Sequence, residues 1–317
     1  MSTATQPVIS PSVVQTGVRS RLALSLADYT QLTKPRVTSL VVATAWCGYF
    51  MAAMKSGIPA FSWTLFHTLL AVGIVAAGAA ALNQVIERDA DAHMRRTARR
   101  PLPAGRMEPL HAALFGMALL LGGSIYLAAA TNLFTGYLAF STGAVYLLFY
   151  TPLKQLTSIC TLVGAFPGAM PAALGWIAVR GRLEWEALAL FAIVLLWQFP
   201  HFFAIAWMYA EDYESAGIRM LPVVEKDGRS TTREILLYSA SLVPVSLAPG
   251  ILGMSGTPYL LGSFLLSCGY FWFGWRLRRL DLPPSEPRSK KSARQLLRAS
   301  IIYLPALFAL MMLTAVQ

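Results

Sequence analysis

The stretch LNQVIERDADAHMRRTARRPLPAGR, residues 82–106, begins inside an apolar run and ends strongly charged. Asn83, Glu87 and Asp91 lie four residues apart within it, and on a helix each step of four turns about 40° past a full revolution. The three side chains therefore share one helical face. An amide and two carboxylates form an oxygen-rich edge that suits a hard divalent cation such as Mg²⁺.

A cluster of arginines follows these acids directly: Arg95, Arg96, Arg99, Arg100 and Arg106. Carboxylates alone would repel a phosphate, whereas carboxylates, a metal ion and arginines together bind one. We therefore expect a metal–diphosphate site here, with Arg95 and Arg99 near the diphosphate. The alternative is a solvated loop whose charges only set the membrane topology, but the helical spacing of the acids favours the site.

The composition is typical of a polytopic membrane protein. Of the 317 residues, 56% are hydrophobic and 13% are charged, against about 25% charged in soluble domains, and the mean hydropathy is +0.55. The apolar runs are continuous rather than alternating, which argues against a β-barrel. The net charge of +11 is confined to particular loops, so no nucleic-acid partner is expected. The three cysteines lie in separate apolar segments without a CxxC pair, which argues against a zinc site or a disulfide framework.

The sequence predicts an all-α polytopic membrane protein with about nine transmembrane helices around a central cavity. We expect residues 1–27 to form a disordered cytoplasmic tail and residues 28–317 to form a single transmembrane domain. The predicted apolar segments are 37–54, 61–86, 109–129, 133–150, 159–179, 187–210, 234–253, 258–276 and 298–316.

The loop charges predict the orientation. When the N-terminus and the loops after the even-numbered segments are placed on one side, all of the 26 Lys and Arg residues lie on that side except Lys55, Arg180 and Arg182. Such a bias indicates that the N-terminus is cytoplasmic. We expect the membrane to be the bacterial inner (plasma) membrane, with the mitochondrial inner membrane less favoured.

A second acidic cluster follows the sixth apolar segment, with Glu211, Asp212 and Glu214 on the same predicted side as Asp91. Two acid-tipped helices that converge on one cavity would hold metal ions and a diphosphate between them. A solvated loop is the alternative interpretation of this second cluster on its own.

Polar residues also lie within the predicted sixth span. Gln198 and His201 are one turn apart on the same face, and Asp212 follows His201 by eleven residues. If the helix is continuous, the histidine sits roughly 16 Å deeper than the acidic edge on the same wall. An intramembrane ionisable residue is a functional candidate, although a neutral histidine satisfied by a neighbouring helix is the alternative. Pro167 and Pro171 predict a bent or locally opened fifth helix.

The fourth span ends with two tyrosines that share a face, Tyr146 and Tyr150, followed just outside by Lys154. One interpretation is an interfacial aromatic belt with a positive-inside lysine. The other is a lysine that contacts diphosphate beside tyrosines lining an apolar tunnel.

The first acidic motif, Asn83-x3-Glu87-x-Asp89-x-Asp91 followed by Arg-Thr-x-x-Arg-Pro-Leu-Pro, resembles that of the UbiA-type intramembrane prenyltransferases. The resemblance covers about residues 28–316. Three strings are similar to the haem-farnesylating branch of that family. These are YTPLK (150–154), WQFPHF (197–202) and DYESAGIRMLPVV (212–224).

The resemblance implies a UbiA-like fold and a Mg²⁺-dependent transfer of farnesyl from farnesyl diphosphate to a vinyl group of protohaem IX (haem b), with water addition, giving haem O. Asn83, Glu87 and Asp91 fall on the first metal–diphosphate motif, Asp212 on the second, and His201 on a histidine with a haem-side role. Gln198, Tyr146, Tyr150 and Lys154 are further binding or catalytic candidates. The second motif departs from the family pattern, because Ala216 stands four residues after Asp212; Glu211 is the available substitute.

Other functions are compatible with parts of this pattern. A UbiA-type prenyltransferase of a quinone precursor such as 4-hydroxybenzoate is the nearest, and the string around His201 argues against it. A secondary transporter would place its ionisable groups at the midplane rather than at the edge. A non-catalytic haem-binding assembly factor leaves the acidic clusters unexplained. The resemblance also implies contact with membrane lipid and, as partners, a haem O oxygenase (haem A synthase) or a terminal oxidase.

Overall fold

The computed structural model describes residues 26–316, which are almost entirely α-helical. The long helices are α1 (Pro35–Lys55), α2 (Trp63–Ile86), α3 (Pro109–Ala130), α4 (Leu133–Leu156), α5 (Cys160–Arg180), α6 (Trp185–Met208), α7 (Arg229–Ile251), α8 (Thr257–Arg279) and α9 (Pro287–Leu313).

These helices confirm the predicted all-α membrane architecture. Eight of them are long and apolar enough to cross a membrane. The remaining helix, α8, has 23 residues and is long enough, but its tyrosines, serines and glycines make it less apolar. Large apolar side chains on the outer surface, such as Leu114, Ile125 and Leu261, are exposed and suit contact with lipid. The chain is an integral membrane protein.

Two groups of helices build the bundle, α1–α5 and α6–α9, and they join where α5 packs against α6. The α1–α5 contact is unusually close because glycines face backbone. A Cβ at Gly48 would lie 1.9 Å from the Ala172 carbonyl oxygen, and one at Gly175 would lie 1.9 Å from that of Ala45. Small residues that let helix backbones approach are a common basis of packing within membranes.

The polar connections meet at one end of the bundle, called the polar end below. It contains the segment before α1 and the loops after α2, α4, α6 and α8. Hydrogen bonds join these parts directly, from Lys34 to Asn83, from Ser215 to the His93 carbonyl oxygen, and from Lys290 to Glu211. The predicted grouping of these segments on one side is therefore present in the structure.

Two local expectations need correction. The fifth helix is not locally unwound at Pro167 or Pro171. Both prolines lie inside one continuous α-helix, Cys160–Arg180. The sixth helix is continuous through Pro200 but ends at Met208, and Asp212 belongs to a separate short helix, Ala210–Ser215. The assumption of one continuous wall from His201 to Asp212 is therefore wrong.

The predicted tail, residues 1–27, lies outside the described residues except for its last two. Those two begin a short helix at 26–32, which the Gln84 side-chain amide fixes to α2 by donating to the carbonyl oxygens of Gln31 and Leu32. Residues 26–32 are thus fixed to the end of α2, next to Asn83.

The close approach of α1 and α5 predicts that Gly175→Ala destabilises the protein. The added methyl group would overlap the Ala45 carbonyl oxygen, and overpacking of this kind costs about 1–3 kcal/mol. We expect the apparent Tm in detergent to fall by about 2–5 °C. Gly122→Ala on α3 is the control, because a Cβ there meets nothing within 4 Å. Equal Tm values for the two variants would contradict this packing.

Candidate active site

A cavity of about 170 Å³ opens at the polar end, between the end of α2, the end of α4 and the loops after α2 and α6. Its polar and aromatic lining residues are Lys34, Asn83, Glu87, Asp91, Arg96, Thr97, Arg100, Tyr146, Tyr150, Lys154 and Tyr213.

The three oxygen-bearing residues of the first motif lie together in this cavity although the helix does not continue through all of them. Helix α2 ends at Ile86, and Arg88–His93 forms a separate short helix. The backbone N–H of Glu87 still donates to the Asn83 carbonyl oxygen (2.9 Å), and that of Asp91 donates to the Glu87 carbonyl oxygen (2.8 Å). The helical register is therefore carried across the break, and it brings Asn83, Glu87 and Asp91 to one cavity.

Asp91 is the most buried carboxylate of the site, with 1% of its surface exposed. Arg100 Nη1 lies 2.6 Å from its Oδ2, and the Thr97 hydroxyl donates to its backbone carbonyl oxygen. A buried carboxylate is very costly without such a partner. The loop after α2 therefore wraps back so that Arg100 reaches Asp91.

Glu87 pairs with Lys154 across the cavity, with 2.6 Å between Oε1 and Nζ. Burial alone would raise the pKa of Glu87, but the Lys154 ammonium and the hydrogen bond that it donates hold the pKa below its usual value. Lys154 also lies over the Tyr150 ring, 4.4 Å from its centroid. The end of α4 is thereby connected to the end of α2.

Asn83 is held at both ends of its amide. Its Nδ2 donates to Thr151 Oγ1 (3.2 Å), and Lys34 Nζ donates to its Oδ1 (2.8 Å). Burial and the nearby Arg100 cation lower the pKa of Lys34 to about 7. The backbone of Lys34 is left-handed, with φ of 45°. This conformation is unfavourable for residues other than glycine, and such strained residues are concentrated at functional sites.

The two tyrosines of α4 lie on a π-helical turn, Tyr146–Tyr150, of the kind that is often found at functional sites. Their ring centroids are 5.2 Å apart. The Tyr150 ring lies against Gly164 of α5, where a Cβ would come within 2.4 Å of it. Gly164 thus makes room for the aromatic wall that borders the charged part of the cavity.

The loop after α6 covers this cavity from the other side. The guanidinium carbon of Arg96 lies 4.8 Å from the centroid of the Tyr213 ring. The backbone N–H of Arg219 donates to the Lys154 carbonyl oxygen. Asp212 itself is not among the lining residues, and it lies 3.5 Å from Nε of Arg95, whose side chain is 85% exposed. The second acidic motif is therefore adjacent to the first, linked through the loop after α2.

His201 and Gln198 lie elsewhere. The Gln198 amide is buried and donates to the carbonyl oxygens of Ala165 and Val194, so it connects α6 to α5. His201 faces α9, where its Nδ1 lies 2.7 Å from the Ser300 hydroxyl. Neither side chain lines the charged cavity.

The structure distinguishes between the arginines that the sequence grouped in one cluster. Arg100 and Arg96 line the cavity, whereas Arg99 is exposed and offers only its carbonyl oxygen, to Arg106. Lys34, which directly precedes the helix start at Pro35, also lines the cavity. Its positive φ has no signal in the sequence.

The donor set fits Mg²⁺ together with an anionic substrate. Amide and carboxylate oxygens of Asn83, Glu87 and Asp91 line one cavity, which is the ligand chemistry that Mg²⁺ prefers. Within residues 26–316, no three acidic, histidine or cysteine side chains are arranged as a ready-made metal cluster. Each oxygen donor instead contacts a cation, so a metal ion would need an anion to take over those cations.

The cations outnumber the carboxylates along the cavity wall. They are Lys34, Arg96, Arg100 and Lys154, against Glu87 and Asp91. A cavity with an excess of cations at the polar end of a membrane bundle suits an anionic ligand such as a phosphate group.

Comparison with known proteins specifies the class further. The sequence model of the UbiA prenyltransferase family matches residues 40–302. The "Protoheme IX farnesyltransferase" of Koribacter versatilis is 55% identical over 313 residues, covering 99% of each chain. The protein of the same name from Solibacter usitatus is 45% identical, covering 91% of this chain and 98% of its own.

Solved structures agree in fold. A digeranylgeranylglyceryl phosphate synthase superposes with a TM-score of 0.74 at 18% identity, covering 92% of this chain and 98% of its own. A UbiA homologue from Archaeoglobus fulgidus bound to DMAPP and Mg²⁺ superposes with a TM-score of 0.62 at 18% identity, covering 90% and 99%. The chain belongs to the UbiA prenyltransferase family. It is a membrane prenyltransferase, and its sequence is similar to the protohaem IX farnesyltransferases within that family.

The pairing of Asp91 predicts that Arg100→Met destabilises the protein in the absence of ligand. An unpaired buried carboxylate costs about 3 kcal/mol, so the apparent Tm should fall clearly. Added Mg²⁺ should restore part of the loss, because it supplies a replacement cation. Thermal unfolding with and without Mg²⁺ measures both effects. Arg99→Met is the matched control, and a loss of the same size in both variants would contradict the assignment.

Proposed function

We propose that this enzyme transfers the farnesyl group of farnesyl diphosphate to a vinyl group of haem b, with addition of water, giving haem O and diphosphate. The observation that carries the proposal is the 55% identity, over 99% of both chains, to a relative named protoheme IX farnesyltransferase. The charged cavity and its aromatic wall supply the chemistry that such a reaction needs.

In this proposal the cations of the cavity bind the diphosphate. Lys34, Arg100 and Lys154 each contact an oxygen of the protein, at 2.6–2.8 Å. Bound Mg²⁺, held by Asn83, Glu87, Asp91 and Asp212, would neutralise the negative charge that develops on the departing diphosphate. The carboxylates would then exchange their lysine and arginine partners for the metal, and those side chains would turn to the phosphate oxygens.

The arginines proposed from the sequence have different positions in this scheme. Arg95 contacts Asp212 and would lie at the edge of the diphosphate, whereas Arg99 is not among the residues that line the cavity. Arg100 and Arg96 take the place that we expected for Arg95 and Arg99. Arg96, stacked over Tyr213, would fix the loop after α6 across the bound substrate.

The electron flow of the reaction needs a leaving anion and a dry apolar wall. The allylic C–O bond breaks and its electron pair goes to the diphosphate oxygen. The vinyl π electrons of haem form the new C–C bond to the farnesyl cation, and water adds to the resulting carbocation and loses a proton. Tyr146 and Tyr150 border the charged cavity and would exclude water from the first cation.

In this proposal the residues near the haem acceptor, His201 and Gln198, belong to α6. His201 has no place in the charged cavity, so a haem-side role at a different position is compatible with its location. Gln198 would act through its hold on α5 rather than by touching substrate. We further propose that the enzyme lies in a bacterial inner membrane with its N-terminus and polar end cytoplasmic, as the loop charges indicate. Its product would be passed to a haem O oxygenase or to a terminal oxidase.

The direct test is mass spectrometry of the haems extracted from cells that lack haem O and express this chain. We expect a new haem with the mass of the hydroxyethylfarnesyl product. Only haem b, together with a prenylated 4-hydroxybenzoate or related quinone precursor, would overturn the proposal and support the alternative acceptor.

Asp91→Asn should lower kcat/KM for haem O formation by about 10²-fold or more, because it removes a charged metal ligand from the cavity. Purified enzyme with farnesyl diphosphate, haem b and Mg²⁺ measures the effect, and EDTA should abolish the wild-type reaction. Asp89→Asn is the matched control, because that side chain is 84% exposed and contacts only Arg88. Activity should change less than about threefold there. Undiminished turnover of Asp91→Asn would remove Asp91 from the metal site.

A further inference from the structure

Ser300 of α9 contacts the His201 ring. Ser300 is fully buried, with 0% of its surface exposed. Nδ1 of the ring lies 2.7 Å from the Ser300 hydroxyl oxygen. The ring stacks on Trp197 with centroids 4.9 Å apart, and the Trp197 indole N–H donates to the Ser300 carbonyl oxygen (2.8 Å). The plane and the rotation of the imidazole are therefore both fixed by α9 and its contacts with α6.

The position of the hydroxyl proton decides which ring nitrogen of His201 is protonated. Ser300 Oγ also lies 2.7 Å from the Leu297 carbonyl oxygen, one turn earlier on α9, and it can donate its only proton to that carbonyl. Its oxygen then accepts a hydrogen bond from an Nδ1–H. This arrangement makes two hydrogen bonds at good distances.

The opposite arrangement is worse by one hydrogen bond. If Ser300 donated to Nδ1, the ring proton would sit on Nε2, and Ser300 would no longer donate to the Leu297 carbonyl oxygen. The contacts of Ser300 thus favour the neutral Nδ1–H form of His201.

Nε2 is not sealed inside the protein. Across residues 26–316, the fully buried side-chain nitrogen and oxygen atoms without a partner are Gln84 Oε1 and Thr231 Oγ1. Nε2 of His201 is not one of them, and the residue as a whole is half-buried rather than fully buried. A histidine whose Nδ1–H is held by the protein and whose Nε2 is open presents a lone pair for ligation or proton transfer.

We propose that Ser300 is a positioning residue that holds His201 in the Nδ1–H tautomer, so that unprotonated Nε2 offers its lone pair to the acceptor substrate. The part that concerns the acceptor rests on the proposed function. The part that concerns the tautomer does not, and it is testable on the protein alone.

The test is ¹⁵N NMR of histidine-labelled full-length protein in lipid bilayers at neutral pH, with the His201 signals identified by their loss in His201→Gln. We expect Nδ1 protonated and Nε2 unprotonated in the wild type. In Ser300→Ala the preference should fall by roughly fivefold, as the loss of one neutral hydrogen bond implies. Ser292→Ala on the same helix is the matched control, because Ser292 is buried but does not contact His201.

A wild-type spectrum with Nε2 protonated, or a ratio in Ser300→Ala equal to that in the wild type and in Ser292→Ala, would overturn the proposal. Thermal unfolding of both alanine variants shows that they are folded. In the haem assay, Ser300→Ala should lower kcat while the KM for farnesyl diphosphate stays unchanged, because the diphosphate cavity is separate. If the protein farnesylates no haem at all, the proposed function fails but the tautomer result still decides the role of Ser300.

Discussion

The structure depends on one constraint at its polar end: carboxylates that are buried beside a membrane must each be paired with a cation. Asp91 with Arg100 and Glu87 with Lys154 meet this constraint, and Lys34 does the same for the Asn83 oxygen. Each pair joins a different segment to the end of α2. The cavity therefore exists because these charges are neutralised, that of Asp91 by the loop that follows it and that of Glu87 by the end of α4.

The same pairing suits the site for a metal and an anion that arrive together. A metal ion alone would displace cations that then have no partner, and an anion alone would face the carboxylates. When the metal ion and the anion bind together, the carboxylates contact the metal and the lysine and arginine side chains contact the anion. No buried charge is then left without a partner. Binding of both ligands in one step would follow from this exchange, and the loop after α6, which reaches the cavity through Arg96 and Tyr213, lies where it can respond to the change.

Much of the architecture could be predicted from the sequence, because long apolar runs and helical spacing are strong local signals. The four-residue spacing of Asn83, Glu87 and Asp91 correctly placed these residues at one cavity. The partner of Asp91 could not be predicted, since Arg95, Arg99 and Arg100 differ only in how the loop folds back. The end of α6 at Met208, which separates His201 from Asp212, could not be predicted either, because Tyr209 is not a residue that typically ends a helix.

The central claim is that the loop after α2 and the loop after α6 close on one diphosphate through Mg²⁺. The most direct measurement is an experimental structure of the protein with Mg²⁺ and a non-reactive thiolo analogue of farnesyl diphosphate. The account predicts the diphosphate in the cavity between Lys34, Arg100 and Lys154, with metal ions that bridge it to Asp91 and to Asp212. A diphosphate bound elsewhere, or one contacted by metal on the Asp91 side alone, would contradict it.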